Sequence, residues 1–241
     1  MPQHVPEFQF SADALALRQF VYEFWCTYGH GPNLRAAHEA TGLPRPRLLA
    51  AYGELDLGIM CTVAQDTQNF HLLKAPPFSS YPSQAQVFVD DRFHCYAGCA
   101  MESLAICMMP PFAGKLLRIE GYCACCLAPV SLLTRDGETL AATPESTLIH
   151  VSLSPRQWNE VDIVPMCDSM NFVLDEDHAT AYERSLGRRG VRFTLAQARR
   201  FIAGTGKGRM WDYQRPPDYI RPQRIIDGIR ALGVDVSPWG E

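Results

Sequence analysis

The 241-residue sequence lacks both a long uninterrupted apolar segment and an excess of charge of one sign. No apolar run approaches the roughly eighteen residues that a membrane-spanning helix needs. The N-terminus also lacks the basic region followed by an apolar stretch that is typical of a secretory signal. The net charge is −4, with both signs spread along the chain, so neither nucleic acid nor an anionic membrane is an expected partner. We therefore expect a cytoplasmic protein.

The sequence also lacks the cysteine pattern of a disulfide framework. Its nine cysteines are an odd number and follow no secretory signal, so reactive or metal-binding thiols are the better interpretation. Cys26, Cys61 and Cys107 each lie in a short apolar run, which predicts small buried core residues. Only some of the thiols are therefore candidates for chemistry.

A third missing pattern is that of a structural zinc site. Cys123, Cys125 and Cys126 are close together in the sequence, but no second pair of cysteines or histidines follows at zinc spacing. A turn at the end of a strand, with one buried thiol at Cys123, is the favoured interpretation. Transfer of a soft ion through Cys125 and Cys126 stays open as an alternative.

The first eighty residues predict three helices followed by a hairpin. Ser11 can cap a helix over Ala12–Thr27, and shorter helical segments follow at Asn33–Ala40 and Arg45–Leu55. A hairpin is predicted over Gly58–Lys74, with its turn at 66–69. This order is the outline of a winged helix.

A winged helix can bind DNA or can pack as a structural domain against the rest of the chain. Residues 1–80 hold five basic and seven acidic residues, whereas a DNA-binding surface needs a basic stripe to neutralise phosphates. The excess of acidic residues favours the structural role. A winged-helix fold alone does not indicate DNA binding, because a fold does not determine function.

The proline-rich segment 75–82 is predicted to divide the chain into domains 1–80 and 81–241. The second domain is expected to begin with a strand at Gln84–Val89 and a helix over Arg92–Met108 that Asp91 caps. Further predicted strands are Lys115–Tyr122, Val130–Thr134, Glu138–Ala142 and Thr147–Leu153, and further predicted helices are Asp175–Leu186 and Thr194–Ala203. The fold class is therefore α+β, with a winged-helix-like N-terminal helical domain and a second domain whose small, mainly antiparallel sheet is flanked by helices.

Two cysteine-bearing segments carry the candidate chemistry. Cys99 and Glu102 are three residues apart, so within the predicted helix they share one face. Cys167 stands between a proline and an acidic turn, which predicts a loop or a helix entrance. A thiol is a nucleophile or a soft metal ligand, and a carboxyl group can deliver a proton. His94 is a candidate auxiliary base, although a surface or hydrogen-bonded histidine is the favoured interpretation.

These residues resemble the alkylmercury (organomercurial) lyase family. The resemblance runs in order through Tyr96–Glu102, Gly121–Leu132 and Cys167 followed by Asp-Ser-Met-Asn-Phe. It implies that Cys99 and Cys167 bind the mercury of R-Hg-X and that Glu102 protonates the leaving carbon. It also places the family's further buried cysteine at Cys123. The sequence differs from the family at Glu102, where Asp is usual, and at Gly98, where Trp is usual.

The resemblance implies a carbon-mercury lyase that acts by protonolysis in mercury detoxification. It implies no required cofactor, with Hg(II) or another soft metal ion as a ligand in substrate or product. The expected partners are an organomercurial substrate and small thiols or a mercury-accepting protein, without nucleic acid or membrane. The tail from Trp211 to Glu241 is expected to be an arm over the second domain or the contact of a homodimer.

Two alternatives to this function stay open. One is an enzyme of the same fold that acts on a different small molecule through the cysteine and glutamate site, which Gly98 and Glu102 keep open. The other is a non-catalytic soft-metal-binding or metal-responsive regulatory protein that uses the same thiols. The acidic balance of the N-terminal domain disfavours the regulatory protein.

Overall fold

The structure is a computed structural model, and it describes residues 9–58, 60–64, 70–158, 163–205 and 222–241. The helices of these residues are α1 (Ala12–Tyr28), α2 (Leu34–Thr41), α3 (Arg45–Leu57), α4 (Ala100–Ile106), α5 (Pro155–Trp158), α6 (Ile163–Asp168), α7 (Glu176–Leu186), α8 (Leu195–Thr205) and α9 (Pro222–Ala231). The strands are β1 (Thr62–Val63), β2 (Leu72–Ala75), β3 (Phe78–Ser79), β4 (Gln86–Val89), β5 (Arg92–Ala97), β6 (Leu116–Tyr122), β7 (Pro129–Arg135), β8 (Glu138–Thr143), β9 (Leu148–Val151), β10 (Met170–Val173) and β11 (Val191–Thr194). None of the described helices is long and apolar enough to cross a membrane.

The strands of the described residues form two antiparallel sheets. The larger has eight strands in the order β1-β2-β3-β5-β4-β6-β7-β8, and the smaller has three in the order β10-β9-β11. The predicted α+β class is confirmed. The larger sheet has more strands than the small sheet that the sequence predicted, and β9 belongs to the second sheet because it pairs with β10 and β11.

The N-terminal helices follow the predicted order and pack on the larger sheet. The Ser11 side chain accepts the N–H of Ala14 at 3.2 Å, so α1 begins where the sequence predicted. Gly29 ends α1 in the left-handed conformation, at φ 75°. The Trp25 ring of α1 stacks on Phe78 of β3, with ring centroids 5.5 Å apart. Aromatic burial at this contact joins the helices to the sheet in one core.

The predicted division of the chain near residue 80 stays a prediction, as does the winged-helix interpretation. The segment at the predicted boundary includes β3, which pairs with β2 on one side and β5 on the other. The expected hairpin is present as the antiparallel pair of β1 and β2. Its predicted turn at 66–69 lies outside the described residues.

The predicted helix over Arg92–Met108 is wrong in its first half. Asp90 and Asp91 have φ values of 49° and 60°, the conformation of a tight hairpin turn, so Asp91 joins β4 to β5 and does not cap a helix. In β5, Cys95 and Ala97 are buried while His94 and Tyr96 are less so, which is the alternation of a strand. The helix of this region, α4, begins only at Ala100.

Candidate active site

Cys99 lies at the junction between β5 and α4, in the N-cap position of the helix. Its Sγ accepts the backbone N–H of Glu102 at 3.4 Å. The cysteine and the glutamate therefore lie at the start of the helix, whereas the predicted helix over Arg92–Met108 had placed them in its middle, which is wrong. The three-residue spacing still brings the two side chains together, because N-cap and N3 residues share the first turn.

Cys167 lies one residue before the end of the short helix α6, so its prediction as a loop or helix-entrance residue is wrong. The Cys167 thiol donates to Glu102 Oε2 at 3.4 Å. Hydrogen bonding with Cys99, burial and the negative charge of Glu102 raise the pKa of the Cys167 thiol, while the charge of Lys74 lowers it in part. The raised pKa keeps the proton on the Cys167 sulfur at neutral pH.

The three candidate residues meet at one point, where both sulfurs and a Glu102 oxygen face the same space. One ligand atom from each of Cys99, Glu102 and Cys167 lies within 4.8 Å of the other two. Both cysteines are free thiols, only 4% and 1% exposed. Cys99 Sγ also lies 3.9 Å from Met170 Sδ. Two thiols, a thioether and a carboxylate form a soft, enclosed ligand set.

Gly98 leaves room for the Glu102 carboxylate. A β-carbon placed on Gly98 would overlap Glu102 Oε2 and would lie 3.0 Å from its carboxyl carbon and 3.7 Å from Cys167 Sγ. Because a real β-carbon does not approach other heavy atoms this closely, any larger residue at position 98 would move the carboxylate. The two departures from the family pattern, at positions 98 and 102, are therefore in contact.

Lys74 is a site residue that the sequence analysis missed. Its side chain on β2 is fully buried, and Nζ donates to the Gly98 carbonyl at 3.0 Å and pairs with Asp168 Oδ1 at 3.3 Å. Burial lowers the pKa of Lys74, but its electrostatic interactions with Cys167, Glu102 and Asp168 outweigh the effect of burial, so that pKa lies above its ordinary value. The available signal was a lysine within the apolar strand Leu72–Ala75, since a lysine is rarely buried without a partner.

The other cysteines lie outside this cluster. The predicted burial of Cys61, Cys107 and Cys123 is confirmed, and Cys123 packs in a small separate core with Val173 and Ala179. The predicted burial of Cys26 is correct only in part, because Cys26 is half-buried against the core. The thiols of Cys26, Cys125 and Cys126 are not fully buried. Cys26 and Cys125 are half-buried, and Cys126 is exposed. Among the described residues, the group of metal-ligand type is formed by Cys99, Glu102 and Cys167.

His94 is partly buried, and its ring packs edge-on against Phe112 at 5.3 Å between ring centroids. Burial lowers its pKa, which favours the neutral imidazole. The histidine packs against Phe112, and its buried Nε2 has no hydrogen-bond partner among the described residues, which differs from the surface or fully hydrogen-bonded histidine that the sequence favoured.

The alkylmercury lyase family matches residues 78–205, which hold all three clustered residues. The chain belongs to this family. A solved crystal structure described as the mercury-bound form of MerB2 superposes with a TM-score of 0.65 and 18% identity, covering 85% of this chain and 93% of that chain. At this identity the superposition shows the shared fold. Comparison with curated protein sequences finds no match.

Membership makes the protein an alkylmercury lyase-like enzyme, a carbon-mercury lyase by family. The family match begins after β2, so Lys74 precedes it, and so do the described residues of α1, α2 and α3. The site thus combines residues of the matched region with one side chain from the segment before it.

Proposed function

We propose that this alkylmercury lyase-like protein cleaves the carbon-mercury bond of organomercurials by protonolysis. In this proposal Cys99 and Cys167 bind the mercury, and Glu102 delivers the proton to the leaving carbon. The observation that carries it is the convergence of both sulfurs and a Glu102 oxygen within 4.8 Å of one another, in a nearly buried site.

Mercury capture begins at a thiol because soft sulfur prefers a soft metal. When Cys99 attacks R-Hg-X, a sulfur-mercury bond forms, the bond to X breaks, and the thiol proton leaves with X. Cys99 is suited to this step because its sulfur already stands at the start of α4, next to the Glu102 side chain that acts later.

The proton for the carbon comes from the second cysteine. The Cys167 thiol already donates to Glu102 Oε2, so a bond from Cys167 sulfur to mercury can release its proton directly onto that carboxylate. The protonated carboxyl group then transfers the same proton to the carbon while the carbon-mercury bond breaks. The products are the hydrocarbon R-H and Hg(II) held by two thiolates, from which excess small thiol removes it.

The direct experiment measures the hydrocarbon. Purified protein is incubated with methylmercury or phenylmercury and excess small thiol, and methane or benzene is followed by gas chromatography. We expect catalytic formation of the hydrocarbon. No hydrocarbon from several organomercurials, with Hg(II) binding intact, would refute protonolysis and leave a soft-metal-binding protein or an enzyme for a different small molecule.

The proposal also covers the setting of the reaction. We assign residues 1–80 to a winged-helix-like structural domain that packs on the catalytic domain 81–241 in a cytoplasmic detoxification enzyme. The pairing of β3 with β5, which lie on opposite sides of this boundary, and the excess of acidic residues in residues 1–80 support a structural role over DNA binding. Gel-shift measurements with duplex DNA at low salt test this role, and tight binding would contradict it.

A further inference from the structure

Lys74 connects the two chain segments that carry the candidate mercury ligands. Its Nζ donates to the carbonyl of Gly98, the residue before Cys99, at 3.0 Å. The same Nζ pairs with Asp168 Oδ1, on the residue after Cys167, at 3.3 Å. One ammonium group thus bonds to the immediate neighbour of each cysteine.

We propose that Lys74 is a positioning residue that sets the separation of the two sulfurs, so that both bind the same mercury ion. This inference rests on the proposed roles of Cys99 and Cys167, and it extends the site to a side chain that lies before the family match. Lys74 acts through its bonds to Gly98 and Asp168 and needs no contact with substrate.

The stability of the fold alone does not explain why a lysine occupies position 74. Burial of an ammonium group costs free energy, and replacing a buried ion pair by an apolar side chain of similar size is often neutral or stabilising. The Lys74 side chain is fully buried, whereas the Asp168 side chain is 64% exposed and can be hydrated without its partner. A methionine at position 74 would therefore be tolerated by the fold, and the retained cation is better explained by the geometry that it imposes.

The two bonds have the right geometry to impose that spacing. Cys99 lies between β5 and α4, and Cys167 lies near the end of α6, so their relative position depends on contacts between elements distant in sequence. The lysine is held in turn by β2, which pairs with β3 in the larger sheet. The Tyr81 ring lies 5.2 Å from Nζ and closes another side of the ammonium group. The lysine thus ties both cysteines to the sheet.

The test compares retention of Hg(II) against a competing small dithiol in Lys74→Met and in the parent protein. All variants carry Cys125→Ser and Cys126→Ser, which remove the more accessible thiols that are not part of the site. We expect Lys74→Met to lower the dithiol concentration that removes half of the Hg(II) by about tenfold, a typical coupling for residues of one network. Lys115→Met is the matched control, because it removes an exposed lysine and should leave retention unchanged.

The distinguishing measurement repeats Lys74→Met in a Cys167→Ser background, at the lower dithiol concentrations over which the weaker one-sulfur site releases Hg(II). With one sulfur gone, no sulfur separation remains to be set, so Lys74→Met should then change retention by less than about twofold. An equal loss in both backgrounds would show a general structural effect and overturn the inference. If Cys167→Ser alone leaves Hg(II) retention unchanged, Cys167 does not bind mercury and the proposed function is refuted. Failure of the proposed function is thereby distinguished from failure of the positioning role of Lys74.

Asp168→Asn provides a second variant if Lys74→Met does not fold. It keeps the shape of an exposed side chain and removes the ion pair with Lys74 Nζ. We expect a loss of retention of about threefold, again absent in the Cys167→Ser background. Full retention in Asp168→Asn together with full retention or failed folding in Lys74→Met would overturn the positioning role.

Discussion

Cys167 Sγ lies 3.4 Å from Glu102 Oε2, with the thiol as donor and the carboxylate as acceptor. The proposed second mercury ligand and the proposed acid are therefore already joined by a hydrogen bond before any substrate is present. This contact offers a route by which the proton lost from sulfur becomes the proton gained by carbon. In the proposed function, mercury binding uses the sulfurs and protonolysis uses the carboxyl group, so substitutions can separate the two steps.

Replacing the acid should separate cleavage from binding. We expect Glu102→Gln to lower hydrocarbon release from methylmercury by at least about 10²-fold, since an amide cannot deliver the proton. Hg(II) binding should stay within about twofold, because both sulfurs remain. The measurements are gas chromatography of the headspace and equilibrium dialysis of Hg(II).

Glu102→Asp is the conservative control for this change. It keeps a carboxyl group but withdraws it by one methylene, so we expect partial activity between the parent and the glutamine variant. Parent-like turnover in Glu102→Gln would remove Glu102 from the chemistry.

Mercury stoichiometry should identify the ligands. We expect one tightly held Hg(II) per chain, lost in either Cys99→Ser or Cys167→Ser because a hydroxyl is a poor ligand for a soft metal. Cys125→Ser is the control and should keep the tight site, since Cys125 lies outside the three-residue cluster. Mercury analysis after dialysis against a small thiol measures this, and retention in Cys99→Ser would place the site elsewhere.

Gly98→Ala should impair turnover and leave the fold intact. The added β-carbon would overlap the far end of the flexible Glu102 side chain, which can move away. Displacement of a catalytic group by about 1 Å can cost about 10²-fold in rate, so we expect a fall of this order in kcat. Mercury binding should persist, because the new carbon would lie 3.7 Å from Cys167 Sγ, an ordinary contact distance.

Gly53→Ala is the matched control for this substitution. A β-carbon at Gly53 of α3 meets nothing within 4 Å, so turnover should be unchanged. The helix should gain about 1 kcal/mol of stability from the replacement of glycine by alanine. If Gly98→Ala turns over at the parent rate, the space at position 98 has no part in placing Glu102.

The fold should lose stability below about pH 6.5 through His150, given the ordinary histidine pKa. His150 is fully buried on β9, and its Nε2 lies 3.2 Å from Glu183 Oε1. Burial lowers the pKa of His150, although the hydrogen bond to Glu183 raises it in part. The unfolded chain therefore binds the proton more readily, so stability is full above the unfolded pKa and falls as pH drops towards the folded pKa.

Urea unfolding at pH 7.5 and 5.5 checks this dependence. His150→Gln should show a smaller difference in unfolding free energy between the two pH values than the parent, because one proton-linked group is gone. His30→Gln, at an exposed histidine, is the matched control and should keep the parent difference. An equal difference in the parent and in His150→Gln would exclude His150 as its source.

Local signals explain where the sequence analysis agreed with the structure. The predicted starts of α1, α7 and α8 agree with the structure to within one residue, because Ser11, Asp175 and Thr194 each accept an N–H three residues ahead. The same signal failed at Asp91, since aspartate also tolerates the left-handed conformation of a hairpin turn. Whether Asp91 caps a helix or forms a hairpin turn depends on the pairing of β5 with β4. The residue pattern within β5 alone does not reveal that pairing.

The sequence by itself determined the α+β class, the family and the three candidate residues. Short motifs and the alternation of strands depend on residues that are close together in the chain, so both can be recognised from the sequence. Only the tertiary structure decided how those residues meet. Cys99 and Glu102 share one turn, but the approach of Cys167 depends on the packing of distant elements. Lys74 became a site residue for the same reason, since its bonds reach Gly98 and Asp168 across the fold. Contacts between residues far apart in the chain arise from the packing of the whole core, and no local pattern specifies them.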